Sequence, residues 1–333
     1  MGITVVLVTA LVAGCSAAAA PPRLLPPAAE PATAPVPAVP PAGDVLALPA
    51  ASAPEGLAAD PVTGLVALAL RNPDRIALVD AAGLTVARVV GVPGAARHLE
   101  LARPGGPVLV PGEDTDQLVQ LGLPDGTVVA STRVGRQPHD AAASGGRVFV
   151  ADELGGNVGV VEASGRFGTT LPGPVQPGGV AVLAGVVSAV DVRGARLYRW
   201  DERTLRPLGS VPVGAGPTHE AAVGPDRLLV TDTRGGRLLL VDARAGRVVA
   251  TTALPGSPYG LATDPATGRA WVTLTARNEV VQLAVRGDSV REVRSWPTVG
   301  QPDTVAYQGA GRCLFVTGTA GAQLQRICGL PPG

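Results

Sequence analysis

The chain has no lysine: all 27 of its basic residues are arginine, balanced by 27 Asp and Glu to a formal net charge of zero. Without a basic excess nothing neutralises a run of phosphates, which excludes a general nucleic-acid binder. Without lysine there is no G-x-x-x-x-G-K-[ST] phosphate loop. No G-x-G-x-x-G follows a strand-like run, and G-x-S-x-G, H-E-x-x-H and C-x-x-C are all missing. The absence of C-x-x-C-H excludes a covalently held c-type haem. Aromatic residues make up 3 % of the 333 positions, and there are three Cys, three His and one Met. What fills the chain instead is apolar: 46 % hydrophobic residues, with 44 Gly and 33 Pro. That composition, at a mean hydropathy of +0.29, excludes a wholly disordered chain. Short apolar runs broken by Gly and Pro predict an all-β fold with many turns.

The N-terminus carries an address. Residues 3–12 are an apolar run of signal-peptide length, too short to span a bilayer. The run ends in Leu11-Val12-Ala13-Gly14-Cys15, which resembles the bacterial lipobox, although no Lys or Arg precedes it. The resemblance implies a signal peptide over 1–14, lipidation of Cys15, and an extracytoplasmic domain anchored to the cell membrane. Residues 15–43 are almost entirely Ala and Pro and have no period that could bury a face. They are expected to be a disordered tether of polyproline II character.

Residues 44–330 read as one repeating unit. Openings such as Pro54-Glu55-Gly56-Leu57, Pro138-His139-Asp140-Ala141, Pro217-Thr218-His219-Glu220 and Pro258-Tyr259-Gly260-Leu261 recur. Counting Ala96, Pro177 and Pro302, they fall at 54, 96, 138, 177, 217, 258 and 302, a period near 41. Each unit holds four short β-type runs; in the copy at 217 these are near 220–223, 227–231, 237–242 and 248–253. Four strands per repeat of this length predict a propeller blade. The last unit supplies only three strands, and residues 44–48 have the character of the missing fourth. The expected fold is therefore a seven-bladed β-propeller of four-stranded antiparallel blades, the last closed by the N-terminal strand.

Asp264-Pro265-Ala266-Thr267-Gly268, followed by Trp271-Val272-Thr273, resembles the YVTN (YncE-like) β-propeller repeat. The blades at 96 and 177 lack the Asp-Pro-x-Thr-Gly turn. The resemblance speaks to fold and leaves activity open, since propellers host enzymes, scaffolds and binders alike.

Two constellations remain. Cys313 and Cys328 sum to twice 320.5, so a hairpin centred between 320 and 321 sets them directly opposite. In an oxidising compartment that predicts a disulfide. His98, His139 and His219 each sit one or two residues after an opening, where innermost strands begin at one mouth of the channel. Glu55, Tyr259 and Asp303 hold similar places, with Asp140 and Glu220 adjacent; Asp114, Asp116, Asp152, Glu153, Asp191 and Asp232 sit on loops opening at the same face. Imidazole and carboxylate at one concavity suit a divalent cation, transition metals over Ca²⁺, or acid–base chemistry. The plainer alternative is that each His bonds a crossing loop and the acids form a solvated rim.

Two functions follow from this reading. The first is a non-enzymatic, monomeric envelope lipoprotein that offers its mouth and rim loops to a protein, glycan or small ligand. The second is a metal-dependent propeller enzyme similar in site residues to the lyases and lactonases of streptogramin-lyase type. No organic cofactor is implied.

Overall fold

The computed structural model describes residues 1–2, 25–94 and 96–331. Cys15 and the rest of the lipobox lie outside the described residues. Within them the chain forms seven four-stranded antiparallel sheets. Blade 5 is typical, with strands Pro217–Ala222, Arg227–Asp232, Arg237–Asp242 and Arg247–Ala253 in that order from the channel outward. The expected strands of this copy all form, each within a few residues of its expected bounds.

The middle strands are apolar almost throughout because each sheet is covered on both faces by a neighbouring blade. In Leu228-Leu229-Val230 the side chains alternate. Leu228 and Val230 pack with Val190 and Leu197 of blade 4, whereas Leu229 packs with Ala270 and Val272 of blade 6. Seven hydrophobic clusters result, one at each junction between adjacent blades. The core is thus a ring of seven seams. Outermost strands such as Thr85–Gly91 have one face in water and are mostly exposed.

The ring closes as the terminal strands predict. Strand Asp44–Ala47 pairs with Gln323–Ile327, in the register Asp44↔Arg326 to Ala47↔Gln323. Arg326 fastens this edge from both sides, donating to Asp44 Oδ2 (2.6 Å) and to the carbonyl of Ala81 in blade 1 (2.9 Å). One strand inward, Leu314 lies opposite Ile327, which places Cys313 opposite Cys328, and the two are joined as a disulfide.

Residues 25–42 differ from a tether held clear of the domain. They lie across the face of the propeller where the blades open. Arg193 donates to Pro26 O (2.9 Å), Arg234 to Pro27 O (2.7 Å) and Asn278 to Pro35 O (2.7 Å). The amide of Ala32 donates to Ser257 Oγ (3.1 Å) and Thr275 Oγ1 (3.0 Å), and that of Ala34 to Gln301 Oε1 (2.8 Å). An extended Pro-rich backbone makes no internal hydrogen bonds, so its polar groups are free to take such partners. The segment crosses blades 4 to 7 before entering the closing strand.

Candidate functional site

Innermost strands start with Pro in five blades, at Pro54, Pro138, Pro177, Pro217 and Pro258. A strand's first residue needs no ladder N–H, so Pro is tolerated there. The register shifts immediately after each of these prolines. Such a bulge re-aims the side chains beside it. It also separates the histidines. In blade 3, Pro138 pairs with Asp152 and Asp140 with Ala151, leaving His139 in the bulge. In blade 5, Pro217 pairs with Asp232 and His219 with Thr231, leaving Thr218 in the bulge. His219 therefore corresponds to Asp140, not to His139.

The three histidines nevertheless meet. One ring nitrogen from each lies within 4.8 Å of the others. His98 and His219 face each other Nε2 to Nε2 at 3.0 Å, with ring centroids 4.4 Å apart, and His98 and His139 centroids are 4.6 Å apart. His139 and His219 are 5 % and 6 % exposed. Burial, then neighbouring cationic charge, holds His98 and His139 well below the ordinary histidine range; burial pulls His219 down to about 4. All three rings are neutral at pH 7, each carrying one N–H and one lone pair.

Their other partners set the tautomers. His219 Nδ1 lies 3.1 Å from the carbonyl oxygen of Tyr259, which only accepts, so Nδ1 carries the hydrogen and Nε2 the lone pair. His98 Nε2–H then donates to His219 Nε2. His139 Nδ1 lies 3.3 Å from Glu113 Oε1 and 3.6 Å from Glu153 Oε2, and likewise donates. Both rings are thus oriented from behind by an acceptor, which is how proteins hold metal-binding imidazoles.

The expected acids divide. Glu55 is on the side of the N-terminal segment, 2.6 Å from Arg71, and Asp303 is held by Gln301 Nε2 (2.8 Å). Burial, partly opposed by Arg71, raises Glu55, and burial raises Asp303. Asp140 and Glu220 instead line a cavity of about 200 Å³ on the other side, with His98, His219 and Glu100. Burial lifts Asp140 to about 6 and Glu220 well above the carboxylate range; enclosure by the channel walls, which desolvates a side chain still open to the channel, and then Asp140 lift Glu100 to about 7. The seven mouth residues thus do not form one ring: the histidines form a partition with carboxyl groups on either side.

On the covered side a smaller cavity is lined by Arg97, His139, Glu153, His219 and Tyr259 together with Ala29 and Glu30 of the N-terminal segment. At the mouth expected to face ligands, the chain itself therefore supplies part of the lining. Sequence reasoning missed Arg71, Arg97 and Glu113 here. Arg97 bridges Glu113 and Glu153 (2.6 Å to the latter), and Arg71 bridges Glu55 and Glu113 (3.1 Å to the latter). Arg97 precedes His98 as Glu55 precedes Gly56, so the repeat alignment itself held the signal.

Most of the loop acids are structural. Asp191 accepts from the amides of Val175 and Gly194, each at 2.9 Å, and Asp232 from those of Gly216 (2.8 Å) and Gly235 (3.0 Å). Asp152 does the same for Gly135 (3.0 Å) and Asp116 for Gln137 (2.9 Å). Each ties an incoming loop to its blade. Asp114 is exposed.

No family model matches the chain, and no curated protein matches it. Its structure is similar to that of streptogramin B lyase, at a TM-score of 0.72 and 12 % identity over 85 % of this chain and 96 % of that one. Virginiamycin B lyase from Staphylococcus aureus gives 0.72 and 13 %, over 86 % and 99 %. The WD40 repeats of RRP9 give 0.72 and 13 %, over 83 % and 91 %. At such identities the likeness shows the fold alone: this chain is a seven-bladed β-propeller, a fold shared by enzymes and by repeat proteins of other kinds.

Proposed function

We propose that this protein is a lipid-anchored, extracytoplasmic propeller that holds a transition-metal ion on His98, His139 and His219 and binds a small ligand beside it. The observation that carries this reading is the meeting of three neutral imidazoles, two of them buried and oriented from behind by acceptors and the third half-buried. An imidazole set suits Zn²⁺, Cu²⁺ or Ni²⁺ better than Ca²⁺ or Mg²⁺. Ligand access is from the channel side, through the larger cavity bordered by His98 and His219, since Ala28, Ala29 and Glu30 narrow the cavity at the other mouth. The lipobox supports lipidation at Cys15 and an envelope location, and the Asp264–Gly268 turn supports kinship with YVTN (YncE-like) propellers.

A metal-dependent enzyme of lyase or lactonase type is the second reading, favoured by carboxyl groups bordering the histidines on the open side. Metal analysis of protein purified without chelator, followed by calorimetric titration with Zn²⁺, tests the site. We expect one equivalent in the wild type and none in a His98→Ala/His139→Ala/His219→Ala variant. If wild type and variant behave alike, the histidines are structural and the propeller is a plain interaction scaffold. Loss of fatty-acid labelling and of membrane association on Cys15→Ala tests the address.

A further inference from the structure

We infer that the channel beyond the histidines is a binding site for a small organic cation, an alkylamine or guanidinium compound, held between Glu100, Asp140 and Glu220. The inference goes beyond the metal site and does not rest on it.

The three carboxyl groups come from the innermost strands of blades 2, 3 and 5 and line one cavity of about 200 Å³. That volume is the share of about six or seven waters, enough for a short-chain organic molecule. Among the described residues none of the three has an arginine partner. The arginines that reach the channel are spent on its covered side, on Glu55, Glu113 and Glu153. The chain has no lysine to supply another cation. Carboxyl groups are therefore concentrated in this cavity without a counter-charge from the protein, and a cation entering it would favour their ionised forms.

Glu220 supplies a second, independent observation. Its Oε2 accepts from Ser188 Oγ at 2.7 Å, but its Oε1 is buried without a partner, on a side chain 7 % exposed that lines the cavity. A buried acceptor left unpaired is costly, and a ligand N–H would complete it. Asp140 accepts from the amides of Ala141 (2.9 Å) and Val180 (3.0 Å), and Glu100 from that of Leu101 (3.1 Å), which fixes both groups.

The spacing decides between an organic and an inorganic cation. Among the described residues the groups close enough to share one ion are His98–His139–His219 and Glu113–His139–Glu153, and the three channel acids form no such group. A bare ion would have to choose among them, whereas a molecule with several N–H donors reaches them separately. Part of the remaining wall, with Leu57, Ala58, Leu261, Ala262, Val305 and Ala306, is apolar and suits a short hydrocarbon body, while Thr263, Thr304 and Tyr307 keep the rest polar.

Calorimetric titration of chelator-treated protein with diaminobutane, aminobutane and butanediol tests this. The two amines should bind, the diamine tighter, and the diol should not. Glu100→Gln and Glu220→Gln should each weaken the diamine about tenfold or more. Glu100 is open to the channel, so its variant should keep the wild-type melting temperature, and it decides the matter if Glu220→Gln fails to fold. Equal binding of the diol, diamine affinity unchanged in Glu100→Gln, or no amine binding at millimolar concentration would each overturn the inference. Because the metal is removed beforehand, a protein that binds amines but never Zn²⁺ keeps this inference and loses the metal reading.

Discussion

Asp152, Asp191 and Asp232 occupy corresponding register positions in blades 3, 4 and 5, opposite Pro138, Pro177 and Pro217, yet they are not equally satisfied. Asp232 accepts from the amides of Ala215, Gly216 and Gly235 and from Arg237 Nε (2.8 Å). Gly235 is required beside it, since a Cβ there would overlap the carboxylate. Asp232→Ala leaves the amides of Ala215, Gly216 and Gly235 without this acceptor, that of Gly216 buried, and should cost roughly 2 kcal/mol, measured by urea unfolding. Asp152 accepts from Gly135, but its Oδ2 is buried without a partner, and burial lifts the group to about 7. Its pKa is higher folded than unfolded. The stability it contributes is therefore present below about pH 4 and is lost as pH rises through 7. Asp152→Asn removes that dependence. The wild type should lose stability relative to the variant between pH 4 and 7, by at most about 1.4 kcal/mol per pH unit. Parallel profiles would show that Asp152 ionises in the folded protein as it does in the unfolded chain.

At the scale of the strand, blade 7 depends on chain ends that are far apart in sequence. The Cys313–Cys328 disulfide has a sequence separation of 15 and joins adjacent strands already in register. By loop-closure entropy it should contribute about 3 kcal/mol. A Cys313→Ser/Cys328→Ser variant should unfold at correspondingly lower denaturant, and two free thiols in the unreduced wild type would contradict the pairing. Deleting residues 44–48 should cost more than the disulfide. It strips Leu46 and Leu48 from the seam between blades 7 and 1 and leaves Gln323–Ile327 as a bare edge. Aggregation at concentrations where wild type is monodisperse is the expected readout.

At the scale of the whole molecule, the N-terminal segment makes the two mouths of the propeller unequal. Its hold is measurable at single amides. Ala32 and Ala34 donate to Ser257, Thr275 and Gln301, so hydrogen exchange there should be slowed. Gln301→Ala removes the acceptor of Ala34 and a donor to Ala32 O (3.1 Å), and exchange at Ala34 should rise severalfold more than at the strand amides, which report any general loss of stability from freeing Asp303. Unchanged exchange would mean that the segment is not held there.

The repeat, its four runs per unit and the pairing of Cys313 with Cys328 were all legible in the sequence, because period and register arithmetic depend on local chemistry repeated along the chain. The blade count and ring closure followed from the same counting. The convergence of His98, His139 and His219 was legible only as a tendency. Their order in depth depended on a one-residue bulge after Pro138 and Pro217, which spacing alone does not reveal. The division of the acids, and the arginines that neutralise one side only, came from tertiary structure. Ion pairs such as Arg71–Glu113 and Arg97–Glu153 join different blades, and no local pattern encodes which side chains meet across a ring. The seating of residues 25–42 was equally invisible. An Ala/Pro run has no side chains to bury as a face, and what holds it is its backbone, which any sequence has and only the surface of a finished propeller can recognise.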